Sequence, residues 1–105
     1  MSDILKGRAP FLTLLALKNG AKHGYDIAAF IKEKGGGFFS VSFGSLYPIL
    51  HNLEKDGLIK GSWESVSESK NKKVYKLTSK GLKELEQETS HVRGLINVFS
   101  EMLRG

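Results

Sequence analysis

The chain contains no cysteine. That absence removes disulfides, thiolate nucleophiles and the usual structural zinc sites, and it fits a reducing cytoplasm, the expected location. Proline occurs only as Pro10 and Pro48, and tryptophan only as Trp63. Long hydrophobic runs are missing too. Ala9 to Leu17 is the longest apolar-rich stretch and is too short to span a bilayer. Lys6 and Arg8 ahead of it imitate a secretory leader. No small-x-small cleavage site follows, however, and the helical pattern runs on into Lys18 and Asn19, so a helix is expected and no membrane. Catalytic patterns are equally absent. His23, His51 and His91 never stand four apart, and His23 before Gly24 reads as a helix-entry residue. No G-x-S-x-G elbow occurs, and Gly35-Gly36-Gly37 is not followed by the Gly-Lys-Ser/Thr of a phosphate loop. Neither an enzyme, a metal nor a cofactor is expected.

What the chain does have is positive charge in an ordered arrangement. Its 105 residues suit one small domain, 40% hydrophobic and 26% charged, with a net charge of +5. A basic balance suits nucleic acid or an anionic surface. Lys70, Lys72, Lys73, Lys76, Lys80 and Lys83 occur with no acidic residue among them, and Glu84, Glu86 and Glu88 follow at once. These acids read as the solvated surface of a helix near its N-terminus, where the dipole favours them.

Four helices and a hairpin can be placed from periodicity and punctuation. Pro10 suits a first helical turn. Phe11, Leu12, Leu14, Leu15 and Leu17 make that helix apolar nearly all round, which predicts burial, and Asn19-Gly20 ends it. A second helix runs from about Gly24 to Lys34 on Ile27, Ala28 and Ile31, with Gly35-Gly36-Gly37 as its stop. Phe38, Phe39 and Val41 read as a short extended piece. The third helix begins near Ser42 or Ser45 and carries Leu46, Ile49, Leu50 and Leu53 on one face. Pro48 limits where its first turn can sit, and Asp56-Gly57 stops it. Leu58 to Glu64 and Lys72 to Thr78 read as paired strands joined by the polar loop Ser65 to Asn71. Thr78 is an N-cap candidate for the last helix.

That last helix carries Leu82, Leu85, Thr89, Val92, Ile96, Phe99 and Leu103 at intervals of 3, 4, 3, 4, 3, 4, a heptad seam with one polar position. Leu95, Val98 and Met102 widen the apolar face. The seam packs either on the chain's own first helix or on a second copy. The surplus of apolar surface over what so short a chain can cover favours the second copy.

The stretch Gly44 to Ile59, GSLYPILHNLEKDGLI, followed by Lys70 to Lys76, says most about function. A short amphipathic helix stops at a glycine and leads into a ribbon with a basic end, the working parts of a winged helix-turn-helix. With the leucine stripe turned inward, Ser42, Ser45, Tyr47, Pro48, His51, Asn52 and Lys55 remain to contact bases and phosphates, and Lys70, Lys72 and Lys73 to neutralise phosphates. Tyr47 could instead be a core ring with a bonded tip, and the lysines an edge protected from pairing.

Several motifs together resemble the PadR-type transcriptional regulators: His23-Gly24-Tyr25, then Gly44-Ser45-Leu46-Tyr47-Pro48, Leu50, Leu53-Glu54, Gly57-Leu58-Ile59, and Tyr75-Lys76-Leu77-Thr78 with Lys80-Gly81. The match covers roughly residues 8 to 85 in order and spacing. The short chain with one C-terminal helix resembles the small subfamily. The resemblance implies a mainly α fold with a small β-hairpin: a winged helix-turn-helix DNA-binding domain over residues 1–78 and a C-terminal dimerisation helix over 79–105. It implies a homodimeric repressor binding double-stranded DNA at a palindromic operator, with Ser42 to Lys55 holding the recognition helix and Ser65 to Lys73 the wing. The dimer seam falls on Leu85, Thr89, Val92, Ile96, Phe99 and Leu103. Family members often respond to phenolic acids or flat aromatic drugs, so a small aromatic effector is a candidate partner, with Phe11, Leu15, His91, Val92 and Phe99 as its candidate pocket. Some small members carry a tryptophan on the last helix where this chain has residues near His91, and here Trp63 lies in the ribbon instead. The alternative is a winged-helix protein-interaction module that never touches DNA.

Overall fold

The computed structural model describes residues 8–38, 40–68 and 70–105, with the backbone alone at Val66. Helix α1 covers Ala9–Ala16 with Pro10 in its first turn, where a missing N–H breaks no helical bond. It is less buried than its composition predicts. Ala9, Thr13, Leu14 and Ala16 form the buried face, while Phe11, Leu12 and Leu15 are half-buried at its rim. Thr13 can lie in the core because its hydroxyl donates to the Ala9 carbonyl at 2.9 Å. Strand β1, Lys22–His23, leads into α2, Gly24–Lys34, which buries Ile27 and Ile31 and ends at the expected glycines. Of the short extended piece expected next, Val41 has no regular secondary structure. Phe38 sits in the glycine turn, 80% exposed, and Phe39 lies outside the described residues.

Helix α3 covers Phe43–Lys55. Ser42 is its N-cap, and the Ser42 Oγ accepts the Ser45 N–H at 3.1 Å. Pro48 is therefore in the helix interior and not in the first turn, where it leaves the Gly44 carbonyl without its usual donor. The helix closes as the sequence predicts. Gly57 takes φ +78°, the Leu58 N–H reaches the Leu53 carbonyl at 2.9 Å, and the Gly57 N–H reaches Glu54 at 3.0 Å, the paired bonds of a Schellman stop.

Strands β2, Ile59–Ser67, and β3, Lys70–Leu77, pair antiparallel from Ile59↔Leu77 to Ser67↔Lys70, with an irregularity between Ser65 and Ser67. Most of the expected loop from Ser65 to Asn71 is thus strand. Its polar residues show no apolar alternation, yet their backbones still pair. The expected hairpin also gains β1, which pairs with β3 through Lys22↔Tyr75 and His23↔Val74, giving a three-stranded sheet of order β1-β3-β2. Helix α4, Ser79–Arg104, is capped by Thr78, whose hydroxyl accepts from the Gly81 N–H at 3.0 Å. One core joins all four helices and the sheet through Leu14, Leu17, Ile27, Ile31, Leu46, Leu50, Leu53, Ile59, Tyr75 and Leu85. The start of α4 shares that core through Leu85.

Candidate nucleic-acid interface

Helix α3 divides cleanly into two faces. Leu46, Leu50 and Leu53 are buried, and Ile49 is half-buried against them. Ser42, Ser45, Tyr47, Pro48, His51, Asn52 and Lys55 are all exposed, as the inward stripe requires. Tyr47 is 56% exposed, so it is not a core ring. Two further rings share this side of the molecule and were not in the expected set. Tyr25, at the start of α2, stacks on Phe43 at 4.4 Å and 13°. Gly24 explains why this works, because a Cβ there would strike the Phe43 ring. Trp63, on β2, is 71% exposed. These rings, with Tyr47 and Lys73, line a cleft of about 240 Å³ between α3 and the ribbon. The His23-Gly24-Tyr25 motif was the sequence signal for Tyr25; nothing local pointed to Trp63.

The ribbon lysines do not act as one patch. Lys72 and Lys73 are neighbours on β3, so their side chains leave opposite faces of the ribbon. Lys70 and Lys72 are exposed. Lys73 turns toward α3, where its Nζ donates to the Glu54 Oε1 at 3.0 Å. The other carboxylate oxygen of Glu54 accepts the Gly61 N–H at 3.1 Å. The hydrogen bond from Lys73, aided by that from Gly61, holds the Glu54 carboxyl below the usual glutamate range despite partial burial. The same bond holds the Lys73 ammonium above its ordinary value. Burial pushes the Tyr75 phenol up.

The proposed seam on α4 separates into two parts. Leu85 is 2% exposed and packed in the chain's own core. Thr89 and Val92 are half-buried, whereas Ile96, Phe99 and Leu103 are 55%, 56% and 88% exposed, with Val98 and Met102 beside them. The candidate effector residues are not gathered in one chain. Phe11 lines a cleft of about 180 Å³ with Leu53 and Glu88, Leu15 lines another of about 300 Å³ with Phe30 and Ile31, and His91 and Phe99 are exposed. Among the described residues no group of His, Cys, Asp and Glu could hold a metal, and no helix is long and apolar enough to cross a membrane.

A helix delivered by a turn after its predecessor, exposed along its polar face and followed at once by a β-ribbon, defines a winged helix-turn-helix protein. The chain belongs to the transcriptional regulator PadR-like family, whose sequence pattern matches residues 13–87. A PadR-like transcriptional regulator from Bacillus cereus superposes with a TM-score of 0.84 at 31% identity, over 99% of each chain. The Bacillus subtilis negative transcriptional regulator PadR is 36% identical over 69 residues, 66% of this chain but only 38% of that protein. The structure of Bacillus subtilis PadR in complex with operator DNA superposes with a TM-score of 0.72 at 32% identity, over 76% of this chain and 45% of that one. An uncharacterised protein from Lysinibacillus sphaericus is 30% identical over 97% of this chain and 96% of its own length. The fold and family are those of transcription regulators.

Proposed function

We propose that the protein is a DNA-binding repressor that acts in the cytoplasm as a homodimer on a palindromic operator. The observation that carries this reading is the exposed polar face of α3 beside a ribbon whose Lys70 and Lys72 point to solvent. Ser42, Ser45, Tyr47, Pro48, His51, Asn52 and Lys55 enter a major groove, and Lys70 and Lys72 contact the flanking backbone. The complex of Bacillus subtilis PadR with operator DNA supports the docking mode. The B. cereus match, end to end, supports the small subfamily.

The exposed run Ile96, Phe99 and Leu103 supports the homodimer, since burying each such side chain is worth about 1.5–3 kcal/mol. Two-fold symmetry then places two reading heads on two half-sites. A small aromatic effector held between the last helices, near Phe11, Leu15, His91, Val92 and Phe99, would change the separation of those heads.

Selection of bound sequences from a random duplex library tests the reading. An enriched palindrome with half-sites about one helical turn apart is expected. No enrichment would remove DNA and leave a protein-interaction module.

A further inference from the structure

The ribbon touches the recognition helix through one charged cluster. Glu54 sits in the last turn of α3, half-buried, and both of its carboxylate oxygens are engaged by the ribbon: Oε2 by the Gly61 N–H of β2 at 3.1 Å and Oε1 by the Lys73 Nζ of β3 at 3.0 Å. Gly61 and Tyr75 are partners across the ladder, as are Trp63 and Lys73, so these four residues share the face turned to α3. The Lys73 ammonium lies over two of those rings, 5.4 Å from the centroid of Tyr75 and 5.9 Å from that of Trp63. The glycine is required: a Cβ on Gly61 would strike the Lys73 stem and approach Glu54 Oε2 to 3.1 Å and the Tyr75 ring to 3.2 Å.

We propose that Glu54 and Lys73 are positioning residues, a clasp that sets the angle of the wing against the recognition helix, and that Lys73 serves the protein's own geometry and not a DNA phosphate. A carboxylate that accepts from both strands fixes the ribbon in two places at once, which a contact to one strand cannot do. A lysine already bonded to a carboxylate and laid over two rings would have to surrender those contacts to reach a phosphate. Lys70 and Lys72, exposed and with no ion pair among the described residues, would surrender none. The assignment rests on the DNA-binding reading for its purpose, but the clasp itself is observable without DNA.

Two measurements test it on the full chain. In the first, the Gly61 amide chemical shift is followed against pH, since that N–H is bonded to the carboxylate of Glu54. His51, Tyr47 and Tyr75 are the other titratable groups near the pair. The wild-type midpoint is expected below the ordinary glutamate value, and it should move up in Lys73→Met. An unchanged midpoint would show that the pair is not formed in solution and would overturn the clasp, whatever the protein does with DNA.

In the second, operator affinity and its salt slope are measured for Glu54→Gln, Lys73→Met and the double variant. Each single change is expected to weaken binding about two- to fivefold, the range of an exposed ion pair. The double variant should be no weaker than the worse single one, and the salt slope should stay as in the wild type. If Lys73→Met lowers the slope by about one unit while Glu54→Gln binds normally, Lys73 is a phosphate contact and the assignment is wrong. If the wild type shows no salt-dependent duplex binding while the Gly61 midpoint behaves as expected, the clasp stands and the DNA reading fails.

Discussion

At the scale of single residues, the exposed rings beside α3 are the first to test in the proposed docking mode. Tyr47 projects from the polar face one turn before His51, with more than half its surface free. Tyr47→Ala is expected to lose at least ~1 kcal/mol of operator binding and much less on unrelated duplex, because a contact near base edges contributes to discrimination. Equal losses on both DNAs, in a titration at fixed salt, would reduce Tyr47 to a phosphate contact. Gly81 shows the opposite kind of constraint. It lies at the start of α4 so close to the Leu58 backbone that a Cβ would overlap the Leu58 carbonyl. Gly81→Ala must therefore displace α4 or the turn between α3 and β2, and a cost of about 1–3 kcal/mol is expected in urea denaturation. The sequence placed Gly81 in a family motif; only packing explains why nothing larger fits.

At the scale of elements, the ribbon carries two adjacent lysines in different surroundings. Lys72 faces solvent and is available to phosphate, so Lys72→Ala should weaken operator and unrelated DNA alike and lower the salt slope by about one unit. An unchanged slope would take the wing out of the docking scheme. Lys73 and Glu54 join ribbon to helix, and their shifts define when that joint contributes. Glu54 is depressed in the fold, so its contribution is present above the unfolded glutamate pKa and is lost as pH falls through the folded one. Lys73 is raised, so its contribution is present below the unfolded lysine pKa and is lost as pH rises through the folded one. The stability difference between wild type and Glu54→Gln should therefore be present at neutral pH and vanish in acid. With about a third of each side chain exposed, solvent screening keeps it to about 0–1 kcal/mol. Thermal midpoints at pH 7 and pH 3 check this, and a difference that persists in acid would assign it to something other than the ion pair.

At the scale of the whole molecule, α4 is the element that does not fit inside one chain. Its 26 residues extend about 39 Å, and the molecule is 60 Å long but only 29 and 21 Å across. The first turns are tied in by Leu85 and by the Arg8–Glu88 pair at 3.6 Å, whereas the last turns carry their apolar residues into solvent. A charge placed there would have to be desolvated in an interface with no partner, at a cost of several kcal/mol. Ile96→Glu should leave the chain folded, because Ile96 is exposed in the single chain, yet sediment as a monomer and lose operator affinity with its tethered twin. A variant that remains dimeric would move the interface elsewhere.

How far each determinant reaches along the chain decides whether the sequence reveals it. The leucine stripe of α3, the Thr78 cap and the Gly57 stop depend on residues within about one helical turn, so they could be read directly from the sequence, while the start of α3 was left between Ser42 and Ser45. The polar face of α3 followed from the same stripe. Strand β1, two residues long, has no period to read and exists because β3 offers it a free edge. The pairing of Lys73 with Glu54 joins residues 19 apart and depends on ladder register, which turns Lys73 inward while Lys72 faces out. The division of the α4 seam depends on where the globular body ends beneath a helix whose heptads continue unchanged. Sequence alone determined which segments are helices, where α2 and α3 stop and which face of α3 is polar, because those are local choices of hydrogen bonding and burial, whereas α1 ends at Ala16, ahead of the expected Asn19-Gly20. Only the tertiary structure decided which lysine is bonded to Glu54, which aromatic rings stand beside it and which apolar residues of α4 stay exposed, because those depend on distances between parts of the chain that no local pattern encodes.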